Sequence, residues 1–114
     1  ATPEQVLFAA IAELLPEQRL YPEFLPENTP LPAAIYQRIS GLSENTVCSE
    51  GDTARIHIVI WAEYPQETRE WAAQVQAALR HLPHGTAEQD SAPDFGYHWE
   101  LKAHYAVLDY LIFV

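Results

Sequence analysis

Residues 54–63 read ARIHIVIWAE, and residues 64–82 continue YPQETREWAAQVQAALRHL. In the first stretch Ile56, Ile58 and Ile60 alternate with Arg55, His57, Val59 and Trp61. That period of two is the mark of a strand with one face in a core. In the second, Pro65 stands at a first helical position, and Trp71, Val75, Ala78, Leu79 and Leu82 recur at helical spacing until Pro83. The pattern predicts a strand over 53–62 and a helix over 65–82. Each has one apolar side, and neither can bury it alone.

The flanks supply the partners. Thr2-Pro3-Glu4-Gln5 combines a capping hydroxyl, a helix-starting proline and a glutamine placed to close a capping box. Val6, Leu7, Ala10, Ile11 and Leu14, widened by Phe8 and Leu15, then predict an amphipathic helix over 1–15, stopped by Pro16. Pro22, Pro26, Pro30 and Pro32 follow. Each fixes its own φ and biases the residue before it toward extended conformations, so 17–32 reads as a stiff extended arm. Residues 33–40 read as a strand, with Ile35 and Ile39 on one face and Tyr36 and Arg38 on the other. Residues 41–52 and 84–96 are rich in turn formers and acids and read as loops. In the last part, 97–114, Ala106, Leu108, Tyr110, Ile112 and Val114 alternate with Tyr105, Val107, Asp109, Leu111 and Phe113.

The expected order is therefore α-β-β-α-β-β in one domain spanning 1–114. Two amphipathic helices need one apolar sheet face to cover. The economical fold is an α+β two-layer sandwich: a mixed or antiparallel sheet of about four strands, with two helices packed on one face.

Charge narrows the function. Sixteen acidic residues against six basic ones give a net charge of -10, which disfavours nucleic acid or an anionic membrane held by charge. No apolar run reaches the roughly 20 residues that span a bilayer, and the N-terminal stretch lacks the basic region of a secretory signal. A lone cysteine, Cys48, forms no internal disulfide and has no basic neighbour to activate it.

Nothing in the sequence recommends catalysis. His81 and His84 have a three-residue spacing, but Pro83 separates them and two ligands leave a metal site incomplete. His57, His98 and His104 would matter only if the sheet brought all three to one face. Ser49 lacks a nucleophile elbow, and no glycine motif for phosphate is present. The expectation is a non-enzyme without cofactor or metal.

A partner surface is better motivated. If the three isoleucines face the helices, then His57, Val59 and Trp61 lie on the sheet's other side, where Tyr36 and Arg38 would join them. Such a patch on an acidic protein fits a binding surface, unless the proline arm folds over it.

One resemblance covers nearly the whole chain. Tyr21-Pro22, then Leu31-Pro32 and Ile35-Tyr36-Gln37-Arg38-Ile39-Ser40, then the strand-to-helix unit with Trp61, Ala62 and Tyr64, are similar in order and spacing to the tail completion, or tail terminator, proteins of long-tailed bacteriophages and prophages. The resemblance implies a small α+β structural subunit, made in the host cytoplasm and carried in the virion tail. It would form a ring, taken as a hexamer, at the head-proximal end of the tail tube, ending tube polymerisation and meeting the tube protein and the head–tail connector. The arm, with Tyr21, Pro22, Phe24 and Leu25, would then make subunit contacts, because a stiff segment costs less entropy to fix. The loop acids Glu44, Glu50, Asp52, Glu88, Asp90 and Asp94 would line a bore through which DNA passes without sticking. A small cytoplasmic adaptor using the Trp61 face is the alternative.

Overall fold

The computed structural model describes residues 2–39, 53–82 and 85–114. Helix α1 (Pro3–Ile11) starts as its sequence dictates: Gln5 N–H donates to Thr2 Oγ1, and Thr2 N–H donates to Gln5 Oε1. The α-helix is shorter than the predicted 1–15, because its last turn tightens into a 3-10 turn at Ala12–Leu14. Leu15, which precedes Pro16, is already extended. Glu17 and Gln18, both at positive φ, then carry the chain from the helix layer to the sheet.

Among the described residues the sheet has six strands: β1 (Leu20–Pro22), β2 (Ala33–Ile39), β3 (Thr53–Ala62), β4 (Thr86–Gln89), β5 (Asp94–His98) and β6 (Ala103–Phe113). Helix α2 (Pro65–Leu79) follows β3. Across the sheet the order is β1-β2-β3-β6-β4, with β5 paired beside β4 on the same side of β6. Of these pairs, β1–β2 is parallel and the others are antiparallel. The layers are thus those expected, but the expected count of about four strands and the order α-β-β-α-β-β are corrected. The unforeseen strands are short edge pieces. β1 has three residues and ends in a proline, tolerable only at an edge. β4, reading TAEQ inside the predicted 84–96 loop, is largely exposed and carries no apolar alternation to announce it.

The core lies between helices and sheet. Ala54, Ile56, Ile58 and Ile60 of β3 face Ile112, Tyr110, Leu108 and Ala106 of β6 in direct register, and all eight are buried. Leu7, Ile11 and Leu15 cover them from the N-terminal segment, and Ala72, Val75 and Leu79 from α2. Full burial of each large aliphatic side chain is worth about 1.5–3 kcal/mol. The buried stripe of α2 runs through Thr68, Ala72, Val75 and Leu79, whereas Trp71 is only half-buried at its margin. Thr68 is tolerated there because its hydroxyl donates to the Pro65 carbonyl at 2.6 Å.

Gly96 on β5 pairs with Tyr105 on β6, and the Tyr105 ring lies over the glycine, so that a Cβ there would overlap the ring and its hydroxyl. Gly96→Ala is expected to destabilise the protein by about 1–3 kcal/mol through overpacking. Urea unfolding measures this, and the double variant Gly96→Ala/Tyr105→Ala should lose less than the two single effects added together.

Candidate subunit interface

Alternation puts the remaining side chains of β2, β3 and β6 on the face opposite the helices, and the proline arm divides that face. At one end Ile35, Trp61 and Ala103 form a second buried cluster, packed by Tyr21, Leu25 and Leu31 of the arm and by Val59 and Tyr105 of the sheet. Trp61 is 9% exposed. The predicted exposed aromatic face at Trp61 is therefore corrected: the arm folds over it. Placing Tyr36 beside Trp61 is corrected as well. Register sets Tyr36 opposite Ile58 and Ile35 opposite Val59, and directly opposed residues share a face. Tyr36 thus lies on the helix side, its ring edge-on to Phe8 at 6.4 Å. Burial, reinforced by the negative fields of Glu4 and then Glu23, holds its hydroxyl pKa above the ordinary 10.0. Arg38 shares that side, 3.3 Å from Glu4.

Toward the other end of the same face the side chains are half-buried: Gln37 and Ile39 of β2, Thr53, Arg55 and His57 of β3, and Val107, Asp109, Leu111 and Phe113 of β6. A charge network crosses it. Arg55 Nη1 lies 2.9 Å from Asp90 Oδ2 and 3.8 Å from Asp109 Oδ2, and His57 Nε2 is 3.4 Å from the same Asp109 oxygen. The register explains the meeting, since His57 is directly opposite Asp109, while the Asp90 N–H donates to the Asp109 carbonyl. Two atoms of the network are nevertheless incomplete. Arg55 Nε and Asp109 Oδ1 are hidden from solvent without a hydrogen-bond partner. A shielded group left so costs about 1–3 kcal/mol, a cost that a partner group can remove.

The other anticipated residues scatter. Pro22 and Phe24 are exposed on the arm, Phe24 at 73%. Glu88 and Asp94 are exposed, but on strands β4 and β5 and not on a loop, and Asp90 is tied to Arg55. Glu44, Glu50 and Asp52, with Cys48, Ser49 and His84, lie outside the described residues. The three sheet histidines do not converge. His104 is opposite Ala62 on the helix side, its ring 4.8 Å from that of Tyr97, whereas His57 is on the other face. His98 Nδ1 accepts from the Leu101 N–H. Among the described residues no group of three His, Cys, Asp or Glu side chains is arranged to hold a metal ion, and no helix is long and apolar enough to cross a membrane.

A family model, Tail completion protein gp17, matches residues 7–95. The chain belongs to this family. It is therefore a phage tail completion protein and a component of the virion tail. Compared with curated proteins, the chain has no match. The family match takes in most of the helix layer, the arm and the strands through Phe95, and stops short of β6.

Two features of this tail completion protein escaped the sequence reading. The Arg55–Asp90–Asp109 network joins residues far apart in the chain, and its only local signal was an aspartate within the apolar alternation of β6. The turn between β5 and β6 exposes Trp99 at 81% and Leu101 at 47%, residues that lie before the alternation read over the last part of the chain.

A double-mutant cycle on Arg55→Ala and Asp109→Ala should give a coupling on the order of 1 kcal/mol in thermal or urea unfolding. Additive losses would mean that Arg55 is held by Asp90 alone.

Proposed function

We propose that the protein forms a ring at the head-proximal end of the tail tube, ends tube polymerisation there and offers the surface to which the filled head joins. Membership of the tail completion family carries this reading. Its partners are further copies of itself, taken as six by the family resemblance, together with the tube protein and the head–tail connector. It is made in the host cytoplasm before it enters the virion. No enzymatic step is assigned to it.

Two physical features support assembly. The half-buried end of the open sheet face carries a shielded guanidinium nitrogen and a shielded carboxylate oxygen without partners, and a neighbouring subunit could complete both. The arm is already seated on the sheet through Tyr21, Leu25 and Leu31. A contact with Phe24 therefore costs little further ordering. The stiff segment before β2 covers Trp61 and holds Pro22 and Phe24 outward. An adaptor built on an exposed Trp61 loses the surface it needed.

In the ring, Glu88 and Asp94 face a bore and repel phosphate at short range. Asp90, balanced by Arg55, contributes less.

Electron microscopy of particles from an induced lysogen lacking the gene tests the main function. Overlong tubes and unjoined, filled heads are expected; normal, joined virions would overturn it. Complementing that lysogen with Glu88→Lys/Asp94→Lys should restore joined particles whose DNA ejection is slowed, and ejection at the wild-type rate would remove the bore role.

A further inference from the structure

A groove of about 350 Å³ runs between the proline arm and the turn that joins β5 to β6. Leu25 and Leu31 of the arm, Trp61 of β3 and Leu101 of the turn give it apolar walls, and Glu27 and Glu100 bring one carboxylate from each side. Both glutamates are exposed, and neither has an ion-pair partner among the described residues. Trp61 has its own deficit: its Nε1–H is shielded and has no acceptor. The arm above it is fastened at its ends, by Glu23 N–H to the Tyr36 carbonyl and Ala34 N–H to the Arg19 carbonyl, both at 2.9 Å. Among the described residues no backbone hydrogen bond ties 25–32 to the sheet.

We propose that this groove is a docking site for an extended segment of another protein, one that carries a large apolar side chain flanked by Lys or Arg. The apolar walls take the side chain. The two unpaired carboxylates select flanking cations and disfavour an acidic segment. As the arm yields, a backbone carbonyl of the segment reaches the Trp61 N–H, removing a buried unpaired donor. A second copy is the poorer occupant because it brings the same net charge of -10. The source of the segment, another tail or head-joining protein of the same phage, rests on the proposed function; the chemistry of the groove does not.

The test uses overlapping peptides of about 15 residues covering those proteins, titrated against the purified chain by fluorescence anisotropy. The peptides that bind should carry an apolar residue between Lys or Arg. Their affinity should fall at least about tenfold in Glu27→Lys/Glu100→Lys and in Leu101→Ser, and should weaken as salt rises. Circular dichroism checks that these surface variants are folded. The Trp61 indole N–H resonance, assigned by comparison with Trp61→Phe, should shift on binding. Binding of acidic peptides, binding unchanged in the folded variants, or no peptide binding at all would overturn the proposal. Self-association abolished by Leu101→Ser would overturn it too, giving the groove to a second copy. These readouts are independent of the deletion phenotype, so the groove can fail while tail completion stands, and the reverse.

Discussion

The pairing of β3 with β6 is the constraint on which the rest of the molecule depends. It runs in unbroken antiparallel register from Thr53–Phe113 to Ala62–His104. Because the side-chain period is two, this single register sends every even-numbered residue of both strands, from Ala54 to Ala62 and from His104 to Ile112, to the helix side. A slip of one residue would expose Ile56, Ile58 and Ile60 and turn Arg55 and Asp109 toward the core. The burial of the isoleucines enforces the register, and the register in turn makes the Arg55–Asp109–His57 constellation possible.

From that frame the two faces acquire different chemistry. The helix side is closed by α1, α2 and the 3-10 turn into one apolar cluster. The opposite side is shared between an arm that seals Trp61 and a charged end where Asp109 meets Arg55 and His57. Burial raises the Tyr110 hydroxyl pKa, only partly offset by the field of Arg80, and keeps that ring on the core side as a neutral group. Asp109, its neighbour in sequence, lies on the other face beside a cation. One step along a strand thus separates packing from polar contact.

For a tail completion protein this division has a use. Its stability rests on the helix-covered side, which leaves the arm, the β5–β6 turn and the charged end of the sheet available for contact. The shielded but unpartnered groups, Trp61 Nε1, Arg55 Nε and Asp109 Oδ1, all belong to the side away from the helices. A chain folded around its core alone has little reason to concentrate unpaired polar atoms on one face, whereas an assembling subunit can complete them with a neighbour.

The sequence by itself determined the long periodic elements and the layer they build. Alternation marked β3 and β6, helical spacing and N-terminal prolines marked α1 and α2, and the order and spacing of the arm and the strand-to-helix unit marked the family. These signals are local, repeated over several residues and tied to burial. Tertiary structure alone decided the rest. β1 and β4 exist because a neighbouring strand offers backbone partners, a pairing that leaves no periodic trace in segments of three and four residues. The side on which Tyr36 lies depends on which residue of β3 it faces, and alternation within β2 cannot fix that. The concealment of Trp61 depends on where a proline-stiffened arm comes to rest. Prolines set the stiffness of that segment, but the β1–β2 pairing and packing against Ile35, Trp61 and Ala103 set its place.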